Sequence, residues 1–277
     1  YCRKCIRVKE LFHIQNNKEP VQPVLLFQAS DKHLAFAITN KNATEIIELA
    51  YCVIDNMSLE SLNEFLNHYP ALKNLQFYDI QVAFAGQQAA FVPSAEAEMT
   101  DAEMLVKTQF GSYDGVRIVS EKIPEWQLYN AYAVENVLWD WVHTIFPFSK
   151  FRHQSSLFIR QMQAANDEGC LLVDFGTNNF SVLAGAGCKI LFSNHISYTT
   201  PADVLFALLK TCQQFSLSQQ TVSVRLSGLI DKQSALYKDL YQYFREITFR
   251  EAGWHTVEPE YPAHFFTSLN DLASCVS

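Results

Sequence analysis

Leu171-Leu172-Val173-Asp174-Phe175-Gly176-Thr177-Asn178 is the stretch on which the fold turns. Its first five residues are apolar except Asp174, the pattern of a central strand covered on both faces. A polar turn with one glycine follows, and Phe180, Val182 and Ala184 then alternate as a second strand. Working outward, Leu25-Leu26-Phe27-Gln28-Ala29-Ser30-Asp31 has the same pattern and is followed by alternating Leu34, Phe36 and Ile38. Each copy continues with another strand, a capped amphipathic helix, and a strand that ends at Gly86 or Gly228. Residues 25–86 and 171–228 thus carry one β-β-β-α-β-α unit twice.

The remaining elements follow from periodicity and caps. Residues 45–54 read as a strand, and Ser58 caps a helix whose Leu59, Leu62 and Leu66 share a face. Ile80, Val82 and Phe84 alternate into Gly86. Thr200, Pro201 and Asp203 set a helix start through a capping box, with Val204, Leu208 and Cys212 on its stripe. Val222, Val224 and Leu226 form the next strand, and Leu236, Leu240 and Phe244 mark the helix after it. Between the copies, Thr100 and Glu103 predict a capping box for a helix through Phe110, and Tyr129–Val134 a strand. Val134, Leu138, Trp141, Val142 and Ile145 give an apolar helix face ended by Pro147, and a helix from Ser155 carries Phe158, Met162 and Ala165. The organisation expected is an N-terminal arm or edge element over 1–24, a first subdomain over 25–155 with an inserted region at about 87–150, and a second subdomain over 156–277. The turn Asn166-Asp167-Glu168-Gly169 precedes the second copy, and a short amphipathic tail runs from Pro262 to Ala273.

Composition excludes several classes. The chain has 277 residues, 49% of them hydrophobic, with 21 Phe and 12 Tyr, so it buries real cores and is not a disordered protein. A formal charge of −8 argues against a nucleic-acid surface, which needs clustered Lys and Arg. No apolar run approaches the ~18–20 residues of a membrane span. The seven cysteines (2, 5, 52, 170, 188, 212, 275) lack a framework spacing and mostly sit in apolar stretches, which points to free thiols in a reducing cytoplasm. Cys2-Arg3-Lys4-Cys5 is a lone C-x-x-C without the further ligands zinc requires. No Walker loop, G-x-S-x-G or paired carboxylate set is present.

Leu172-Val173-Asp174-Phe175-Gly176, the strand through Leu226-Ser227-Gly228, and the segment from Phe148 to Ser156 carry a likeness that spans about 25–250. On them the chain resembles the actin-like ATPase superfamily, in its divergent branch of bacterial division and pilus-assembly proteins. More closely it is similar to a Bacteroidetes-type family of unknown function with an actin-like fold. The resemblance implies an α/β protein of two duplicated actin-like, ribonuclease H-like subdomains, with mixed five-stranded sheets and helices. It also implies that nucleotide, where bound, is gripped by two hairpin turns, one from each half.

Such a grip needs glycine for close backbone approach, a carboxylate for Mg²⁺ or its waters, and small hydroxyls. Asp174, Gly176, Thr177 and Asn178 meet part of that need. Asp174 is costly to bury alone, so it either serves a ligand or accepts hydrogen bonds from its own turn and Thr177. The first turn, Gln28-Ala29-Ser30-Asp31-Lys32, has no glycine, places Gln28 where the carboxylate belongs, and offers Lys32 as its only cation. Ser227 and Gly228 stand where such folds turn against adenosine, but Leu229 replaces a second glycine; an ordinary strand-to-helix turn explains a single Gly equally well. Arg152 and His153 lie at the expected junction, either as packing residues or facing a partner. Trp139 and Trp141 fit a helix face, and would anchor a protein partner where exposed.

These residues predict a cytoplasmic, non-catalytic binding or scaffold protein with a degenerate nucleotide cleft, no bound cofactor, and a protein partner or self-association. The rival is an ATP/Mg-binding ATPase or small-molecule kinase using the turn at Asp174–Thr177.

Overall fold

The computed structural model describes residues 8–276 apart from 17, 20, 87, 96–97, 112–113, 163–166 and 255–260. Cys2 and Cys5, the Pro20 of the arm, Ala165 and the Asn166 of the expected turn lie outside the described residues. The chain forms two compact units, one built on residues up to Ser156 and one on Leu157–Gly253 with the tail up to Asp271.

The first unit begins with β1 (Val8–Gln15), β2 (Val24–Ala29), β3 (His33–Thr39) and β4 (Ile46–Ile54). Helices α1 (Leu59–His68) and α2 (Ala71–Asn74) lead into β5 (Asp79–Phe84). Next come β6 (Ala89–Pro93), α3 (Met99–Phe110), β7 (Val116–Ile123), β8 (Leu128–Glu135), α4 (Asn136–Ile145), β9 (Lys150–His153) and α5 (Gln154–Arg160), whose residues from Leu157 on belong to the second unit. Six strands form one sheet in the order β1-β4-β3-β2-β5-β9. Its β1/β4, β4/β3 and β3/β2 pairs are antiparallel, while β2/β5 and β5/β9 are parallel. β2 is buried along its whole length, as its unbroken apolar run requires.

The second unit contains β10 (Cys170–Phe175), β11 (Asn179–Ala186), β12 (Lys189–Ser197), α6 (Pro201–Gln214), β13 (Ser223–Gly228), α7 (Ala235–Tyr243), β14 (Glu246–Phe249) and α8 (Thr267–Asn270). Its five-stranded sheet runs β12-β11-β10-β13-β14, with antiparallel pairs on one side of β10 and parallel pairs on the other. Without β1, the first sheet has the same order and polarity. The duplication read from the sequence is therefore a duplication of topology.

Caps and apolar faces place the helices. The Ser58 side chain accepts from Ser61 N at 3.2 Å, and α1 buries Leu62, Phe65 and Leu66. Phe65 meets Phe27 of β2 and Phe36 of β3 edge-on, both at 6.1 Å between ring centroids. Burying one such ring stabilises by roughly 1.5–3 kcal/mol, so this cluster is a main support of the first unit. In the second unit Thr200 and Asp203 form the expected capping box, and α6 buries Val204, Leu208 and Cys212.

Val8–Gln15 is a paired edge strand, the edge alternative for the N-terminal segment, with exposed Lys9 and Glu10 as an edge strand favours. The structure differs from the sequence reading at three places. The α3 capping box uses Glu98 and Asp101, two residues before Thr100 and Glu103. Val134 lies in β8 and not on the face of α4. The inserted region adds two strands to the one expected at Tyr129–Val134: β6, β8 and β7 form an antiparallel sheet against which α3 packs Ala102 and Val106. Among the described residues, no helix is long and apolar enough to cross a membrane.

Candidate functional site

Both hairpin turns are closed by their own atoms. In the first unit, the Ser30 Oγ accepts from the backbone N–H of Lys32 at 3.1 Å and of His33 at 2.9 Å. It also contacts His33 Nδ1 at 2.7 Å, and Ser30 N donates to His33 O at 2.9 Å. The Ser30 hydroxyl thus occupies two amide donors of this turn. Gln28 is 4% exposed, and its Nε2 donates to Gln154 Oε1 at 3.3 Å. Lys32 is exposed.

The second unit brings Asp174, Gly176, Thr177, Asn178, Ser227 and Gly228 together at the carboxyl ends of β10 and β13. Asp174 lies opposite Ser227 and Phe175 opposite Gly228 in the parallel register. Ser227, fully buried, donates from Oγ to Asp174 Oδ1 at 2.6 Å. Asp174 therefore takes a hydrogen bond from the neighbouring strand, a source the sequence reading did not name. Gly176 N closes the hairpin onto Asn179 O at 2.8 Å, leaving Thr177 and Asn178 exposed at its tip.

Gly228 has a packing reason. With φ at +77°, a Cβ there would lie 2.2 Å from Phe175 O and 2.7 Å from Phe175 N. The register also corrects its expected match to Gly86. Phe175 pairs with Gly228 and the equivalent Ala29 pairs with Phe84, so the positional counterpart of Gly228 is Phe84. Gly86 lies two residues further along.

Asp174 belongs to a charged group that local sequence patterns do not reveal. Arg250, just beyond β14, is 7% exposed and donates from Nη2 to both carboxylate oxygens of Asp271 at 2.8 and 3.0 Å. The tail reinforces this pair: Thr267 Oγ1 donates to Arg250 O at 2.7 Å, and His264 Nε2 contacts Ile230 O at 2.7 Å. Burial pushes the Asp174 carboxyl up, opposed by the Ser227 hydrogen bond and the Arg250 charge. Burial also pushes Asp271 up to about 7, with Arg250 pulling down and Asp174 adding to the rise. The sequence signals were a lone Arg closing an alternating strand and a lone Asp in an apolar tail.

The partner candidates of the first unit divide by burial. Trp141 is 5% exposed, its Nε1 donating to Asn63 Oδ1 at 3.4 Å. His153 is 2% exposed, with Nδ1 at 2.5 Å from Ser155 Oγ and its backbone N–H on Glu121 at 2.8 Å. Both are buried, the packing alternative of the two that their sequence positions allow. Arg152, half-buried, reaches Glu121 at 3.8 Å. Trp139, also half-buried, stacks on Phe84 and His143, with the Arg117 guanidinium 5.1 Å from its ring.

The first unit also holds a cavity of about 180 Å³ that the sequence did not disclose. Ala29, Ser30 and Asp31 contribute to it from the first turn, with Phe84, Gly86 and Met57. Val116, Val134, Glu135 and Leu138 come from the inserted sheet and α4. Half-buried Asp31 and exposed Glu135 are the acids in its lining, and Glu135 is pushed up by partial burial and then by the charge of Asp31. Of the thiols, burial raises Cys52 and Cys212 to about 11, the behaviour of inert core residues.

The described family model that matches the sequence is the protein of unknown function DUF3822, over residues 15–247. This chain belongs to the DUF3822 family. No curated protein matches it. Among solved structures it is similar to a Bacteroides thetaiotaomicron protein with actin-like ATPase fold and unknown function, at 14% identity and a TM-score of 0.77. That likeness covers 92% of this chain and 96% of the other. A PilM–PilN type IV pilus biogenesis complex contains a second similar chain, at 11% identity and a TM-score of 0.62, with 94% of this chain and 100% of that chain covered. The DUF3822 chain therefore has the actin-like ATPase fold, as its twin sheets imply.

Proposed function

We propose that this DUF3822 protein is a cytoplasmic, non-catalytic binding or scaffold module whose nucleotide-gripping turns have been turned to structural use. The observation that carries the reading is where the turn atoms go. The Ser30 hydroxyl takes the Lys32 and His33 amides, while Ser227 and the Arg250 charge serve Asp174. A polyphosphate would have to displace bonds already made, and Lys32 is the only cation in either turn to offset its charge. Gly228, a candidate for close approach to adenosine, is spent on contact with Phe175. The similar pilus chain is recorded in complex with another protein, and that supports a protein partner or self-association here.

Thermal unfolding with and without millimolar Mg-ATP tests this directly. The expected result is no shift in either unit. A ligand at ~100-fold above its dissociation constant adds about 2.7 kcal/mol to the native state, a change calorimetry reads easily. A clear shift that disappears in Asp174→Ala would replace this reading with an ATPase or kinase using Asp174, Gly176, Thr177 and Asn178.

A further inference from the structure

We propose that the cavity of the first unit is a docking pocket for one large apolar side chain of a partner polypeptide, with a lysine or arginine next to it. This deepens the binding-module reading and rests on it. The walls are Met57, Phe84, Val116, Ala133, Val134 and Leu138, and Phe84, Val134 and Leu138 are themselves buried. At about 180 Å³ the space is large enough for one ring or branched aliphatic group. For comparison, a dry apolar cavity of ~150 Å³ accommodates benzene.

Charge selects the occupant. Asp31 and Glu135 are the two acids in the lining, and the charge of Asp31 adds to the rise that partial burial causes at Glu135. Lys32 offsets part of this from an exposed position. A cation entering beside the apolar group relieves the remaining repulsion and gains complementarity at the rim. A negatively charged neighbour would be repelled, which excludes acidic peptides and free phosphates. The chain's net charge of −8 adds attraction over longer range.

The experiment selects peptides from a random display library on the full chain, then titrates a selected synthetic peptide against variants. Selected sequences are expected to pair Phe, Leu, Ile or Met with an adjacent Lys or Arg. Ala133→Leu, which fills the cavity, and Asp31→Asn with Glu135→Gln, which removes the rim charge, should each weaken binding by about tenfold. The rim pair, with Glu135 exposed and Asp31 half-buried, adds no bulk to the fold, so it decides the matter where Ala133→Leu fails to fold. Selected peptides without basic residues, or affinity unchanged in the rim variant, would overturn the pocket while leaving the scaffold reading standing. A selection that enriches nothing overturns it too. Stabilisation by Mg-ATP, measured separately, is the result that removes the underlying reading.

Discussion

Arg250→Met is expected to destabilise the second unit by about 3–5 kcal/mol, because it leaves buried carboxyls without their cation. Arg250 and Asp271 are 7% and 6% exposed, and one guanidinium nitrogen holds both Asp271 oxygens. Removing it takes the guanidinium from Asp271 and withdraws the charge that favours ionised Asp174. Both carboxyls already have pKa values raised by burial, and the variant raises them further. A carboxyl whose folded pKa exceeds its unfolded value, about 3.9, stabilises the fold at low pH and loses that contribution as pH rises. The deficit of Arg250→Met should therefore be largest near pH 8 and shrink towards pH 4–5. Adding Asp271→Leu should recover most of the loss, since an apolar pair of similar volume is often as stable as a buried ion pair. Calorimetry across pH on the wild type and the two variants checks all of this. A pH-independent deficit in Arg250→Met would show that packing against Phe158, 5.7 Å from the guanidinium, is what the side chain contributes.

This cluster marks where sequence reasoning ran out. The twin sheets were legible because β2 and β10 are apolar through, their hairpins alternate with period two, and their turns recur at equal spacing. Nothing in those patterns is long-range, so local periodicity suffices. β6 and β7 were missed because an inserted sheet rich in Ala, Arg, Ser, Glu and Lys does not alternate cleanly, and its core is four small side chains. Position along the sequence equates Gly86 with Gly228, but parallel register decides equivalence, and it is set by hydrogen bonds between strands far apart in the chain. The same limit applies to the site. Asp174 stood out as a carboxyl in an apolar strand, whereas Ser227 as its donor requires the β10/β13 pairing. Arg250 and Asp271 meet only when the tail returns to the end of β14. The cavity under Asp31 depends on an inserted sheet whose strands were not all foreseen, and so Glu135 was not considered as its neighbour.

Gly228→Ala is the second large effect, at about 4 kcal/mol or more, the range reserved for a strained backbone or a buried clash. Two separate costs add. A residue with a side chain pays roughly 1–2 kcal/mol to hold a left-handed conformation such as φ +77°. Its Cβ would also sit 2.2, 2.7 and 2.9 Å from the O, N and C of Phe175, which are backbone atoms and have no rotamer by which to withdraw. Relief requires β13 to move away from β10 at the centre of the sheet. That movement breaks the 2.8 Å bond from Leu229 N to Phe175 O and stretches the Ser227–Asp174 bond. Gly86→Ala is the control: its Cβ meets Ala133 O at 3.3 Å, an adjustment of a few tenths of an ångström without positive φ. The melting temperature of Gly228→Ala should fall by about 10 °C, with Gly86→Ala within a few degrees of wild type. Equal, small effects at the two glycines would mean that the β10–β13 approach is looser than these distances require. Gly228 would then be free to serve a ligand after all, and the strongest packing argument against a working nucleotide turn would be lost.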